Sequence, residues 1–206
     1  MFYIFIMEHN KILGVVLAGG KSSRFGADKS EAILGNKNLI SHILDKIIFK
    51  FDKILVVANH KVNFNENEKI NLISDYHNDL GPLGGIYSAM KWVKDNNKPY
   101  DWIISLPTDT PFFETKILDE FFKKTNEKEK KLFFMKSNNK RHNIFGLWSL
   151  DLFKNLEKDL LENNERKVET WANKIGVETI NVNFEGRDPF LNINTIEDLE
   201  KAKKYI

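Results

Sequence analysis

A chain of 206 residues is the length of one domain, and its 42% hydrophobic and 29% charged content is ordinary for a globular protein, which excludes disordered and collagen-like chains. The 31 basic and 29 acidic residues leave a formal charge of +2, and the basic residues are not massed in one segment, which argues against a nucleic-acid-binding protein. Because cysteine is absent, disulfides, thiolate nucleophiles and cysteine-ligated zinc are excluded.

The hydrophobic pattern alternates between strand-like and helix-like segments. Continuous apolar runs predict buried strands, and apolar residues at spacings of three and four predict amphipathic helices. In chain order, the predicted elements are a strand at 11–18, a helix at 39–51, strands at 53–58 and 70–73, a helix at 86–93, a strand at 102–106, a helix at 117–122, strands at 131–136 and 145–148, helices at 150–161 and 165–174, a strand at 179–184 and a helix at 195–204. This alternation predicts an α/β, Rossmann-like fold, with a mostly parallel central sheet flanked by helices in a single domain over 1–206.

The N-terminal residues 1–7 are apolar but lack the basic start and small-residue cleavage site of a secretory signal. We expect them to be an extra strand end or a ragged extension, with Met7 as a second candidate start. No stretch reaches the roughly 18 consecutive apolar residues that a membrane helix needs. We therefore expect a cytoplasmic protein that does not contact membranes, and the lack of cysteine agrees with a reducing compartment.

Three unusual loops follow three predicted strands, at 17–29, 75–85 and 107–111. In an open parallel sheet, ligands bind beyond the carboxyl ends of the strands. We therefore expect these loops to meet at one edge of the sheet and to form the functional site.

The loop at 17–29 combines two glycines with three cations. Gly19 and Gly20 allow a close approach of the backbone, positive φ angles and an anion site made of N–H groups. Lys21, Arg24 and Lys29 add positive charge, so the loop suits a triphosphate. The glycine spacing fits neither a P-loop nor a dinucleotide fingerprint, and the alternative is a plain strand-to-helix turn with solvated charges.

In the loop at 107–111, Asp109 lies between Pro107 and Pro111, which stiffen the backbone on both sides. A rigid carboxylate beyond a strand suits Mg²⁺, which takes few protein ligands and several phosphate and water oxygens. The alternative is that Asp109 caps a helix beginning near Pro111.

The loop at 75–85 is less specific. Asp75 is a candidate for binding a nucleotide or its sugar, or is simply the polar end of a loop. Gly81, Gly84 and Gly85 would offer a bare backbone to a base, although such glycines also occur in ordinary turns.

Near the C-terminus, Asn192 and Asn194 alternate along an extended segment and so share one face. The alternative for this segment is that Asn194 and Thr195 cap the following helix, and Thr195 is the expected N-cap. His142 has no metal-like spacing to another histidine, and we interpret it as structural or as a substrate contact.

The residues LAGGKSSRFGADK at 17–29 resemble the signature of the molybdenum cofactor guanylyltransferases, within the sugar-nucleotide-type nucleotidyltransferase fold. The resemblance continues, in the family's order and spacing over residues 12 to 200, at Asp75, at 81–85, at 106–111, at 164–167 (NERK) and at 191–195 (LNINT). It implies a nucleotidyltransferase that joins GTP to molybdopterin and releases diphosphate.

The resemblance also implies roles on the nucleotide side of the cleft. Leu17, Ala18, Gly19 and Gly20 would contact the guanine and phosphates, with Gly20 favouring guanine because cytidylyltransferase relatives have Ala-Ala-Gly there. By the same resemblance Lys29 and Asp75 would bind GTP, Asp109 would bind GTP and Mg²⁺, and Arg24 and Lys29 would stabilise the departing diphosphate.

On the acceptor side, the resemblance implies that Asn192 and Asn194 contact molybdopterin. We further expect a monomer with transient contacts to proteins that make or deliver the cofactor. The chain departs from the family at Val57, where some members have Asn, and at Asn143, where Pro is common. Two alternatives stay open: a related nucleotidyltransferase using CTP or a sugar-phosphate acceptor, and a GTP-binding regulator without chemistry.

Overall fold

The computed structural model describes residues 11–19, 29–77, 79–127 and 129–206. The expectations for residues 1–7 and for Gly20, Lys21 and Arg24 lie outside this part of the chain. The described strands are β1 (Ile12–Leu17), β2 (Ile33–Leu34), β3 (Lys37–Asn38), β4 (Ile54–Val57), β5 (Ile70–Ile73), β6 (Trp102–Pro107), β7 (Leu132–Ser137), β8 (Lys140–Ser149) and β9 (Glu178–Asn181). The described helices are α1 (Leu39–Ile47), α2 (Gly81–Asp95), α3 (Lys116–Lys124), α4 (Phe153–Leu161), α5 (Val168–Ile175) and α6 (Ile196–Ala202).

Seven of these strands form one sheet in the order β5-β4-β1-β6-β8-β7-β9. The pairs β1–β4, β1–β6, β4–β5 and β7–β9 are parallel, whereas β8 is antiparallel to both of its neighbours. The direction of β8 follows from the two-residue turn at Asn138 and Asn139, whose φ angles of 46° and 60° are those of a tight hairpin. The sequence prediction of an α/β fold with a mostly parallel sheet is confirmed.

Each face of the sheet is covered by helices, because alternate residues of the buried strands point to opposite sides. On β1, Ile12 and Val16 belong to the core under α1 and α3, while Leu13 and Val15 belong to the core under α2, α4 and α5. All four side chains are at most 1% exposed, which explains why β1 is an uninterrupted apolar run.

The small hairpin of β2 and β3 was not expected from the sequence, because each strand has only two residues. It leads directly into α1, whose N-cap Asn38 accepts a hydrogen bond from the backbone of Ser41. Thr195 is the N-cap of α6, as expected, and it forms a capping box with Asp198. Within the described residues, no helix has both the length and the apolar character to cross a bilayer.

Candidate active site

Three residues from distant parts of the chain meet beyond the carboxyl end of β6. The ammonium of Lys29 donates a hydrogen bond to Asp109 Oδ2 at 2.7 Å and another to Asn194 Oδ1 at 2.5 Å. The side chains of Lys29 and Asp109 are only 15% and 20% exposed. Positive charge, a carboxylate and an amide are thus concentrated in one partly desolvated spot, where electrostatic interactions are stronger than in water.

A separate apolar cluster explains why these three residues converge. It includes Leu34 from the β2–β3 hairpin, Phe112 from the loop after β6, and Ile193, all at most 8% exposed. These residues are near in sequence to Lys29, Asp109 and Asn194, respectively, so packing of the cluster fixes all three polar side chains. The backbone N–H of Ile193 also donates to the carbonyl of Asp109 at 2.8 Å, which ties the two segments together.

Asp109 does not cap a helix. The helix that follows it, α3, begins at Lys116 with Thr115 as its N-cap, so the capping alternative for Asp109 is excluded. One of its oxygens, Oδ1, is buried and accepts no hydrogen bond from the described part of the chain, and the same holds for Oγ1 of Thr110. Buried polar atoms are nearly always hydrogen-bonded, so an unpartnered carboxylate oxygen marks a place where a ligand would be favourable.

The donor set at Asp109 fits a magnesium ion that is mostly coordinated by substrate. Among the described residues there is no group of three or more histidine, aspartate or glutamate side chains that could hold a metal ion by itself. Mg²⁺ is commonly bound through one or two carboxylates, with phosphate and water oxygens completing its shell. The carboxylate of Asp109, with Oδ1 free of partners among the described residues, fits such an ion.

Asp75 forms a second constellation at the same edge, beyond β5. It is clamped by Asn59, which accepts from the Asp75 backbone N–H at 2.8 Å and donates to Asp75 Oδ2 at 3.0 Å. The hydroxyl of Ser88 lies 3.5 Å from Asp75 Oδ1. Burial raises the pKa of Asp75 above its usual value, although the hydrogen bonds from Asn59 and Ser88 act in the opposite direction.

The end of β1 lies between the two constellations, since β1 pairs with β4 on one side and with β6 on the other. A Cβ placed on Gly19 would lie 3.9 Å from Asp75 Oδ2 and 3.9 Å from the Ala58 backbone. Gly19 therefore borders Asp75, as the convergence of loops requires. Its φ angle is not positive, so Gly19 does not use the left-handed freedom of glycine here.

The glycines at 81–85 form the first turn of α2, and the expectation of a loop there is wrong. Pro82 suits this turn because the first N–H groups of a helix have no intrahelical partner. Gly84 and Gly85 are buried, and a Cβ would lie 2.6 Å from Leu80 Cβ and 2.8 Å from Leu17 Cδ2, respectively. They permit close packing of α2 against its neighbours and do not present a bare backbone to a base.

Asn59 and Ser88 are the site residues that the sequence analysis missed. Asn59 follows the buried strand β4 at the edge where Asp75 lies, so the rule applied to the other loops could have identified it. Ser88 is on α2, where a small buried hydroxyl gives no comparable signal.

His142 has a structural environment. Its Nε2 lies 2.8 Å from Ser137 Oγ, and its ring stacks on Phe190 with 4.2 Å between the centroids. Of the two asparagines assigned to the acceptor side, Asn194 contacts Lys29, while Asn192 is partly buried two residues earlier on the same segment.

Residues 14–175 match the family of the MobA-like NTP transferase domain, which is most of the chain. The chain belongs to the MobA-like NTP transferase family. Its members are nucleotidyltransferases, and this chain is therefore an enzyme of that class. Relatives from Nitrobacter hamburgensis and Brucella ovis, both named molybdenum cofactor guanylyltransferase, are 28% and 30% identical and align over 93% and 94% of this chain and 92% of their own lengths.

Solved structures share the fold of this chain. The molybdopterin-guanine dinucleotide biosynthesis protein A of Archaeoglobus fulgidus superposes with a TM-score of 0.72 at 21% identity, covering 94% of this chain and 97% of that one. A Mycobacterium tuberculosis protein solved in complex with manganese gives a TM-score of 0.65 at 15% identity, covering 95% of this chain and 100% of that one. The resemblance found in the sequence is thus confirmed in both family and fold.

Proposed function

We propose that this nucleotidyltransferase transfers GMP from GTP to molybdopterin, forming the guanine dinucleotide cofactor and diphosphate. The observation that carries the proposal is the meeting of Lys29 with Asp109 and Asn194, which are 80 and 165 residues away in sequence. It brings together the cation that we propose binds the triphosphate, the carboxylate that we propose binds the metal and the amide that we propose contacts the acceptor. The guanylyltransferase names of the full-length relatives support the choice of substrates.

On the nucleotide side, the backbone of Leu17, Ala18 and Gly19 would lie against GTP. Asp75, fixed by Asn59, would accept hydrogen bonds from the N–H or hydroxyl groups of guanosine. A carboxylate suits this role because guanine presents N–H donors on the edge where cytosine presents an acceptor. Gly20 and Arg24, predicted from the sequence, complete our proposed nucleotide site.

Mg²⁺ is the proposed metal, and Asp109 would hold it. The ion would neutralise the charge of the triphosphate oxygens, which favours attack on phosphorus. Asp109 Oδ1 is buried and has no hydrogen-bonding partner among the described residues, which supports this assignment, and the manganese complex of the mycobacterial neighbour is consistent with a divalent cation.

In the proposed reaction, a phosphate oxygen of molybdopterin attacks the α-phosphorus of GTP. The new P–O bond forms as the bond to the β-phosphate oxygen breaks, and diphosphate leaves with that electron pair. Lys29 and Arg24 would balance the charge of the leaving group, and Asn192 and Asn194 would orient the acceptor. No covalent intermediate with the protein is needed, so catalysis rests on positioning and charge stabilisation.

We further propose a monomeric cytoplasmic enzyme that contacts cofactor-producing or cofactor-delivering proteins transiently. Lys29, Asp109 and Asn194 meet within a single chain, so the proposed site needs no residue from a second subunit. Light scattering after size-exclusion chromatography tests this point, and a stable dimer would contradict it.

Thermal unfolding with Mg²⁺ and each of GTP, CTP, ATP and UTP tests the nucleotide assignment. A ligand at about 100 times its dissociation constant adds about 2.7 kcal/mol, which raises the melting temperature of a domain of this size by about 5–10 °C. We expect this rise with GTP. A preference for CTP would instead support a cytidylyltransferase, and no shift with any nucleotide would contradict the triphosphate site.

Diphosphate release with GTP and molybdopterin tests the chemistry. Asp109→Asn is expected to fold normally and to lose about 10²–10³-fold in turnover, the usual effect of removing one electrostatic stabiliser. Asp119→Asn is the matched control, because it alters a Lys–Asp pair of the same 2.7 Å length that includes none of the proposed site residues. GTP binding without diphosphate release in the wild type would indicate a regulator rather than an enzyme of this specificity.

A further inference from the structure

Apart from the groups around Lys29 and Asp75, Ser137, His142 and Asp188 form a hydrogen-bonded cluster, which we call the clasp. Ser137 Oγ lies 3.2 and 3.0 Å from the two carboxylate oxygens of Asp188, and 2.8 Å from His142 Nε2. Ser137 and His142 belong to the β7–β8 hairpin, whereas Asp188 lies in the segment that precedes α6. The clasp therefore joins the hairpin to the segment that carries Asn192 and Asn194.

The clasp is not a hydrolytic triad. In a triad the carboxylate orients the histidine, whereas here Asp188 and His142 both contact the serine. Ser137 is also only 2% exposed, so a substrate cannot reach its hydroxyl. A carboxylate accepts hydrogen bonds, so the Ser137 hydroxyl donates to Asp188, and the contact of Ser137 with His142 is then made with Nε2 as the donor. Burial lowers the pKa of His142, while the nearby Asp188 acts in the opposite direction.

Between Asp188 and Asn194, a series of hydrogen bonds and packing contacts holds the chain in place beside the active site. Asp188 Oδ1 accepts from the backbone N–H of Phe190 at 2.9 Å, and its carbonyl accepts from Leu191 at 3.1 Å. The ring of Phe190 stacks on His142, so the same hairpin holds both residues. Three residues after Phe190, the backbone N–H of Ile193 donates a hydrogen bond to the carbonyl of Asp109. The next residue, Asn194, accepts a hydrogen bond from the Lys29 ammonium through its side-chain oxygen.

We propose that Asp188 is a positioning residue, which through the clasp sets the register of Asn192 and Asn194 against Lys29 and Asp109. In the geometry described above, the first constraint on this segment is the turn at Asp188, and the last is the contact between Asn194 and Lys29. Release of that turn lets the segment shift, and Lys29 then loses one of its two partners. The expected loss of acceptor binding rests on the proposed function. The expected loss of the hydrogen bond between Asn194 and Lys29 does not.

The direct test is the rate at which Lys29 is acetylated in pulses of acetic anhydride, read by mass spectrometry in the absence of substrates. Asp188→Ala and Ser137→Ala are each expected to raise the Lys29 rate about three- to tenfold, since the amine loses a hydrogen-bonding partner and opens more often. Asp188→Asn keeps an oxygen for the N–H of Phe190 and a polar contact to Ser137, so it is expected to stay near the wild-type rate.

Asp151→Ala is the matched control. Asp151 pairs with Lys131 at 2.6 Å on the exposed surface, so this variant should speed acetylation of Lys131 and leave Lys29 unchanged. If Lys29 keeps its wild-type rate in folded Asp188→Ala and Ser137→Ala proteins, the proposal is overturned. Equal rates in Asp188→Asn and Asp188→Ala would also overturn it, because charge rather than hydrogen-bond geometry would then be responsible.

Steady-state kinetics separate positioning from a general loss of structure. With GTP saturating, Asp188→Ala is expected to raise KM for molybdopterin about tenfold or more, an effect of lost orientation. KM for GTP is expected to change by less than about threefold because Asp75 and β1 are untouched. A wild type that transfers no GMP while the acetylation results hold would refute the proposed function and leave the clasp in place.

Discussion

The ammonium of Lys29 donates a hydrogen bond to Oδ2 of Asp109 at 2.7 Å, while Oδ1 is buried and accepts no hydrogen bond from the described part of the chain. The carboxylate that would hold a metal is thus already engaged by a cation of the protein itself. A metal–triphosphate complex brings both a competing cation for Asp109 and new anionic partners for Lys29. We infer that Lys29 passes from Asp109 to the phosphates when the substrate binds.

Replacing Lys29 by glutamine tests this exchange. Turnover is expected to fall about 10²–10³-fold because one stabilising charge is lost at the leaving group. Binding of Mn²⁺ in the absence of nucleotide is expected to tighten, since Asp109 no longer has a competing partner. Diphosphate release and titration calorimetry measure the two effects.

Lys50→Gln is the control for this variant, because Lys50 forms a pair of equal length with Asp119 away from the site. It should leave both turnover and metal affinity unchanged. Weaker Mn²⁺ binding in Lys29→Gln would show that Lys29 supports the metal rather than competing with it.

Alanine substitutions at Gly19 and Gly85 are expected to have different effects. The first should mainly weaken GTP binding, and the second should mainly reduce stability. At Gly19 a new Cβ would meet its nearest atoms at 3.9 Å, an ordinary contact, so Gly19→Ala should leave the melting temperature nearly unchanged. The methyl group would nevertheless stand where GTP is proposed to approach the backbone, and GTP affinity should fall about tenfold or more.

At Gly85 the new Cβ would lie 2.8 Å from Leu17 Cδ2, so the end of the Leu17 side chain must move, and Gly85→Ala should reduce stability by about 1 kcal/mol, the low end of overpacking costs. Comparing the two variants by urea unfolding and by GTP titration separates packing from ligand contact. Unaltered GTP affinity in Gly19→Ala would mean that the nucleotide does not lie against this backbone.

Much of this architecture could be predicted because the strong signals are local. The buried strands β1, β4 and β6 are continuous apolar runs, and the N-cap at Thr195 follows from its side chain. The hairpin of β2 and β3 has too few residues to show a period. The helix at 81–95 was assigned a late start because glycines usually weaken helices, whereas here tertiary packing requires them.

The contacts within the site were harder to predict than its location. The carboxyl-edge rule placed Asp75 and Asp109 correctly at one edge of the sheet, but it does not specify which side chains touch. The partnership of Asn59 with Asp75 depends on the spacing of β4 and β5, and the clasp at Asp188 depends on a hairpin about 50 residues earlier. Such pairings arise from tertiary structure and leave no mark in a single sequence.

The ionised carboxylate of Asp75 is expected to lower the free energy of unfolding, although the proposed function uses it to bind GTP. Burial raises its pKa in the folded protein, so the charged form is disfavoured relative to the unfolded chain. Asp75→Asn should therefore raise the free energy of unfolding at pH 7 and weaken GTP binding. The gain should shrink as pH falls through the raised pKa and vanish below the unfolded value of about 3.9. Urea unfolding at pH 7 and pH 3.5 measures this change, and a variant less stable than wild type at pH 7 would contradict it.

Asp198 is expected to show the opposite dependence on pH. Hydrogen bonds from the backbone of Asn194 and from Thr195 lower its pKa, so its contribution to stability is present above about pH 3.9, the unfolded value, and is lost as pH falls through the lowered folded pKa. At pH 7, Asp198→Ala should cost about 0.5–2 kcal/mol, the usual effect of losing a cap. Because Asn194 is bound directly to Asp198 at 3.0 Å, the variant should also reduce GMP transfer.

Two further variants define what Asp198 contributes. Asp198→Glu keeps a carboxylate at the third position of the capping box, where glutamate is common, and should restore most of the stability and transfer. The neighbouring Glu197→Ala removes an exposed acidic residue of the same helix turn and should change stability by less than about 0.5 kcal/mol. If Asp198→Ala and Glu197→Ala were equally mild at pH 7, the capping box would not stabilise α6, and the position of Asn194 would depend on its other contacts, at Lys29, at Ile193 and through the clasp.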